Sequence, residues 1–235
     1  MDLTNNQLVI PVLDHGFVRY IDHLGDDKRI VEAARVSYAG KSKGEEQDKK
    51  LLHYLYKNKH TSPFEMVKVT FNIKMPIYVM RQYVRHRMQN LNEVSARYTE
   101  LPKEFHIPTV WRVQDTKNKQ ASVDSQNFNP VLPTGQTATE ALIRFCDDSY
   151  ELYEGLLNAG VAREMARVVL PLNIYTEIYT CWDLKNLLHF FTLRDDSHAQ
   201  QEIQLYARAM KEICTQLFPW TMEAYEKYTF VLSQT

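Results

Sequence analysis

Apolar residues recur along this chain at two spacings, and the spacings sort it into strands and helices. From 66 to 74 the alternation is strict. Val67, Val69, Phe71 and Ile73 fall on one side, and Lys68, Thr70, Asn72 and Lys74 on the other, which predicts a half-buried strand. Residues 8–13 and 17–21 are apolar runs flanking Asp14-His15-Gly16 and predict a hairpin. Residues 171–180 hold the β-formers Ile174, Tyr175, Ile178 and Tyr179, a further strand or the approach to one. Helical spacing governs most of the remainder. Asp26 and Asp27 open a short helix through Ile30, Val31 and Ala34, and Leu51, Leu52, Tyr54 and Leu55 mark another over 46–58. Pro76 starts a helix that runs to about Arg87. A long helix covers about 137–158, Gly160 breaks it, and a short helix covers about 161–168. Helices follow at about 183–193 and 199–216, with a last one from about 220. Asp196 or Ser197 is the expected cap of the 199–216 helix. Residues 88–108 read as less regular. Residues 112–135, with Lys, Gln, Asn and Ser throughout, read as a surface insertion. The order of elements gives one compact α+β domain over 1–235, an antiparallel sheet with packed helices.

Composition narrows the function classes. The 235 residues suffice for a sizeable core without disulfide or metal staples. Lys plus Arg is 28 against 29 for Asp plus Glu, a net charge of −1, which excludes a polybasic nucleic-acid coat. No run reaches the roughly 18 apolar residues of a membrane span. The first residues, Met1 to Asn6, lack the basic and apolar regions of a secretory signal, so the expected location is cytoplasmic. Cys146, Cys181 and Cys214 form no CxxC pair, which excludes a zinc ribbon or a thioredoxin-type motif. No glycines are spaced as GxGxxG. Gly40-Lys41-Ser42 lacks the glycine a P-loop needs at position 35, which is Arg. There is no HExxH, no GxSxG and no cluster with metal-ligand spacing. A nucleotide bound here must have its phosphates held by side chains.

The densest polar segment runs from Arg81 to Tyr98. It holds Arg81, Arg85, Arg87 and Arg97, with His86, Glu93 and Ser95. On a helix, Arg81 and Arg85 are i,i+4 neighbours and Gln82 and Arg85 are i,i+3 neighbours, so they converge on one target. The planar guanidinium binds phosphate oxygens in pairs. Ser95 and Arg97 can meet the same phosphate or a second one. Glu93 suits an arginine to be oriented, or a ribose or base. The residues alone leave open a small-molecule phosphate site, a phosphate-tracking nucleic-acid patch and a solvated basic face. His60 to Glu65 puts a His, a hydroxyl and a carboxylate on a proline-containing turn before the alternating strand, either ligand contacts or a structural cap. Arg163 and Arg167 sit i,i+4 on the 161–168 helix. On the 183–193 helix Leu184, Leu187, Leu188 and Phe191 form the buried face, and Lys185, His189 and Thr192 a polar stripe.

Arg85-His86-Arg87, seven residues and then Ser95 resemble the signature of the flavin-dependent thymidylate synthases. The chain is similar to that family also in Ala33 to Ser37, in the His60-to-Glu65 turn, in Ala166 to Pro171 and in Leu193 to Gln200. The similarity covers nearly all of it except 112–135. The resemblance implies a mixed α/β fold assembled as a homotetramer, with active sites built from more than one subunit. It implies methylation of dUMP to dTMP, with methylenetetrahydrofolate as carbon donor and NADPH as reductant through bound FAD. It places Gln82, Tyr83, Val84, Arg85, Glu93, Val94, Ser95, Ala96, Arg97, Arg167 and Arg194 at dUMP. It places Ser62, Arg85, His86, Arg87, Glu93, Asp183, Leu184, Lys185 and His189 at FAD. Arg194 is the expected catalytic residue, contacting the pyrimidine and favouring an ionised N3. No metal, membrane or nucleic-acid partner is expected. Lys185 and His189 stand where Arg and Asn can occur in the family, and Ala96 where Gly can. The unrelated thymidylate synthases resemble a Pro-Cys-His nucleophile site, but here no cysteine follows a proline or precedes a histidine. The expected chemistry therefore uses no enzyme nucleophile. The alternatives are a flavoprotein NADPH oxidase, a methylating enzyme for another nucleotide, or a nucleic-acid-binding module built on the arginine patch.

Overall fold

The alternating segment becomes the middle of a sheet. In the computed structural model, which describes residues 8–38, 40–42, 44–116, 118–119, 122–123 and 125–232, five antiparallel strands form one layer. They are β1 (Val9–Val12), β2 (Gly16–Leu24), β3 (Lys68–Pro76), β4 (Gln89–Glu93) and β7 (Tyr175–Asp183), in the order β1-β2-β3-β7-β4. The register sets Val69 against Trp182, Phe71 against Thr180 and Ile73 against Ile178, all of them buried. That face is covered by α1 (Asp27–Arg35), α2 (Glu45–Lys57), α6 (Leu184–Arg194), α7 (Gln201–Leu217) and α8 (Pro219–Leu232), which share its core. A smaller cluster of Ala96, Leu101, Phe105, Cys146 and Ile174 lies under α4 (Ala138–Asn158), whose start carries a Thr137–Glu140 capping box. α5 (Arg163–Ala166) is a single turn continued by a 3-10 turn, Arg167–Val169.

Polar side chains fix the helix starts. Asp26 accepts from the backbone N–H groups of Lys28 and Arg29 and so caps α1. Asp27 is buried and accepts from the backbone of Trp220 and Thr221 and from the Thr221 hydroxyl, at 2.6–3.1 Å, capping α8 from across the core. Burial pushes the Asp27 carboxyl up, against those three bonds. No helix among the described residues is long and apolar enough to cross a membrane.

Three local expectations need correction. The helix begun at Pro76, α3 (Ile77–Tyr83), stops at Tyr83 and not at Arg87. Tyr83 is fully buried, its hydroxyl accepts from Trp182 Nε1 at 2.7 Å, and the chain must turn there to return as β4 beside β7. Arg85 is therefore in a turn, and the i,i+4 pairing with Arg81 does not form. The segment read as less regular contains β4. The turn after α6 is not capped as expected either. Asp196 accepts from the His198 N–H at 2.8 Å within that turn, and the cap of α7 is Gln200. Within 112–135 the chain forms a two-stranded ribbon, β5 (Val113–Gln114) and β6 (Ser122–Val123).

Candidate functional site

The C-terminal end of β4, the start of β7 and the 3-10 turn after α5 enclose a cavity of about 320 Å³. Glu93, Val94, Ser95, Ala96, Arg167 and Thr176 line it over an apolar floor that includes Leu101 and Ile174. Its size lies at the small end of small-molecule pockets, roughly 300–1,000 Å³. Glu93 is held in place by the Thr176 hydroxyl, which donates to it at 2.7 Å. The Ser95 carbonyl accepts from the N–H groups of Tyr98 and Thr99, at 2.9 and 3.1 Å, so the residues that follow β4 form a tight turn. The Ser95 hydroxyl accepts from the Arg97 N–H at 3.3 Å. Arg167 is exposed and pairs with no carboxylate of a described residue, whereas Arg97 reaches outward to Glu164 at 3.2 Å. A free guanidinium, a hydroxyl and a pinned carboxylate over an apolar floor suit an anionic ligand that also carries a ring and hydroxyls.

The turn after α3 docks on α6 through His86. Arg194 Nε donates to His86 Nε2 at 2.9 Å, and the His86 ring stands edge-on to Phe190 with centroids 4.9 Å apart. Burial, with the charges of Arg194 and His189, holds the His86 pKa down to about 4. The ring is thus neutral near pH 7, with Nε2 as acceptor and the proton on Nδ1. No described residue accepts from the Nη groups of Arg194, so their donors are open to a further partner. Burial lowers the Arg194 pKa, yet a guanidinium stays charged far above neutral pH. Arg194 also ends α6, where the helix dipole favours a cation. An NMR titration of the histidine rings should show His86 unchanged from pH 8 to about 5 and moving near pH 4. A midpoint near 6.5 would remove the Arg194 bond from the account. The sign for stability follows. Between about 4 and 6.5 the unfolded chain binds the proton that the folded chain refuses, so stability from this residue falls as pH falls through that window.

A third group gathers at the start of α6. The 3-10 turn Ser62–Met66 packs against it, Lys185 pairs with Glu65, and the Leu184 N–H donates to Val67 O at 2.9 Å. Asp183 caps α6 by accepting from the Asn186 N–H at 2.9 Å. Glu65, Lys68 and Asp183 border an open cleft of about 700 Å³. His189 is exposed on α6 with its ring 6.4 Å from that of His86.

The structure thus groups Glu93 to Ala96 with Arg167, His86 with Arg194 and His189, and the Ser62 turn with Asp183 to Lys185. Arg85, Arg87 and Val84 are exposed on the turn between α3 and β4. The side chains of Tyr83 and Leu184 are fully enclosed, so only their backbone can reach a ligand, and the Leu184 N–H is already taken. Gln82 donates to Gln200. Sequence reasoning missed Thr176, Gln200, Glu202 and Arg112. Thr176 gave no signal. Glu202 did, as a carboxylate on the apolar face of α7.

The comparisons with known proteins agree with one another. A family model described as thymidylate synthase complementing protein matches residues 19–220. The flavin-dependent thymidylate synthase of Thermus thermophilus is 48% identical over 221 residues, 94% of this chain and 79% of that protein. That of Thermosipho melanesiensis is 45% identical over 219 residues, 93% of this chain and 94% of that protein. Among solved structures, a UMP/dUMP methylase PolB from Streptomyces cacaoi, bound with 5-Br dUMP, superposes with a TM-score of 0.81 at 31% identity. The match covers 94% of this chain and 98% of that one.

Proposed function

This chain belongs to the flavin-dependent thymidylate synthase family, and on that premise we propose that it methylates dUMP to dTMP. Methylenetetrahydrofolate gives the carbon, and NADPH gives reducing equivalents through FAD. The observation that carries the reading is the cavity in which Glu93 to Ala96 meet Arg167, five expected nucleotide residues from segments about 70 positions apart. Arg167 and Ser95 hold the phosphate, and Glu93 the sugar. Arg194, steadied by His86, places its Nη donors at the pyrimidine. A fixed cation beside N3 stabilises negative charge there and makes C5 more electron-rich. Ser95 has no described histidine or carboxylate bonded to its hydroxyl, which supports a binding role and a reaction without an enzyme nucleophile.

The residues fit a flavin. Arg85 and Arg87 are exposed and pair with no carboxylate of a described residue, as a pyrophosphate requires, and the cleft bordered by Glu65 and Asp183 has room for a large ligand. When bound, the flavin supplies the hydride chemistry that no side chain here can provide. The protein contributes cations and orientation from Ser62, Arg85 to Arg87, Glu93, Asp183 to Lys185 and His189. The three groups are completed by neighbouring copies in a homotetramer, and the enzyme works in the cytoplasm.

Anaerobic product analysis tests the reading. Protein, FAD, NADPH, methylenetetrahydrofolate and dUMP are combined, and dTMP is sought by chromatography, with UMP in a parallel arm. dTMP that vanishes without FAD is expected. A folded protein that oxidises NADPH through flavin and makes no dTMP overturns the substrate. Methylation of UMP in preference to dUMP favours a second reading, a methylating enzyme for another nucleotide, which the likeness to a UMP/dUMP methylase supports.

A further inference from the structure

Arg112, Glu202 and Gln200 form a hydrogen-bonded chain that ends on Gln82. Arg112 Nη2 donates to both Glu202 oxygens at 2.8 Å, its Nη1 to Gln201 Oε1 at 2.6 Å, and its Nε to the Ser122 hydroxyl at 2.9 Å. Glu202 is 7% exposed, in the first turn of α7. Gln200 Nε2 donates to Glu202 Oε2 at 2.7 Å, and Gln82 Nε2 donates to Gln200 Oε1. The direction of these bonds follows from chemistry. A carboxylate paired with a guanidinium nitrogen only accepts, so Gln200 must turn its NH2 toward Glu202. Its carbonyl then faces Gln82, which must answer with NH2. The end of Gln82 that points away from Gln200 is therefore its carbonyl oxygen, and no described residue donates to it.

We infer that Arg112, Glu202 and Gln200 are positioning residues that fix the Gln82 amide so that its carbonyl accepts the 3′-hydroxyl of the bound nucleotide's ribose. The inference rests on the nucleotide reading above. It narrows the expected role of Gln82. A phosphate offers acceptors alone, so Gln82 is not a phosphate ligand. The donors that dUMP carries are the ribose 3′-hydroxyl and N3–H, and Arg194 treats N3 as a site of negative charge, which leaves the hydroxyl. The ribbon of β5 and β6 gains a purpose, since Ser122 of β6 braces Arg112, just before β5, and Arg112 supplies the cation that holds Glu202 in place.

The test is calorimetric titration of the FAD-loaded protein with dUMP, 2′,3′-dideoxyuridine monophosphate and dCMP. Wild type should bind dUMP about tenfold more tightly than the dideoxy analogue, the worth of one hydrogen bond. Glu202→Gln can turn either end of its amide to Gln200, so the preference should fall below about threefold with FAD retained. Gln200→Met cuts the chain without touching the Arg112–Glu202 pair and should do the same, even where Glu202→Gln folds poorly. The inference is overturned by a wild type indifferent to the 3′-hydroxyl, by variants that keep the preference, or by variants that lose both nucleotides equally, as a merely structural role would give. A preference lost against dCMP alone overturns it too, because the donor would then be N3–H. A wild type that binds none of the three removes the nucleotide reading itself.

Discussion

Replacing Arg194 by alanine is expected to lower kcat about a hundred- to a thousandfold while the purified protein keeps its FAD. The reason lies in what the guanidinium touches. Its Nε is spent on the neutral His86 ring and its Nη groups on no described residue. In the proposed reaction those groups face the pyrimidine, and such a donor counts most when the developing charge is largest. The KM for dUMP should rise far less than kcat falls, since the proposed site gives phosphate and sugar to other residues. Arg194→Lys should recover little, because a lysine cannot hold His86 and the pyrimidine together. Steady-state kinetics beside the flavin absorbance of the same preparation decides the matter. FAD lost with dUMP affinity intact would make Arg194 a flavin residue.

Gly16→Ala should destabilise the fold by about 3 kcal/mol, through overpacking and a lost buried hydrogen bond. Gly16 pairs with Val12 at the mouth of the first hairpin. A Cβ there would lie 2.1 Å from the Tyr206 hydroxyl, 2.6 Å from Val12 O and 2.8 Å from Lys74 O. Two of those atoms are backbone of the sheet and cannot swing aside. The third belongs to a fully buried tyrosine whose hydroxyl donates to the same Lys74 carbonyl at 2.8 Å. Any escape by Tyr206 breaks that bond. Urea melts of the two proteins would show the loss as a lower midpoint at unchanged slope. A change under 1 kcal/mol would mean the hairpin opens more readily than this geometry allows.

Much of the layer structure was legible because it is written in local periodicity. The strict alternation of Val67 to Lys74 is β3, and the Leu184, Leu187, Leu188 and Phe191 stripe is the buried face of α6. The end of α3 was not legible, because Tyr83 is stopped by Trp182, 99 residues further on, and no local spacing carries that. The candidate site has the same character. Its residue types stood out as a run of arginines, but Ser95 meets Arg167 only because β4 pairs with β7, with Glu93 against Ile178. Glu202 could have been found. On α7 it shares the buried face with Ile203, Tyr206, Ala207 and Met210, and an acid among such neighbours needs a cation from elsewhere.

The strand order carries a consequence for synthesis. β7 is the last strand to leave the ribosome, yet it lies between β3 and β4. Until residue 183 has emerged, β3 has an open edge and β4, which bears part of the candidate cavity, has no strand to pair with. Both await a single partner. The unfinished chain is therefore a sticky one, with an apolar strand edge exposed until β7 slots in. The step that hides that edge is the step that builds the cavity, so a chain that has completed its sheet has also completed the candidate site.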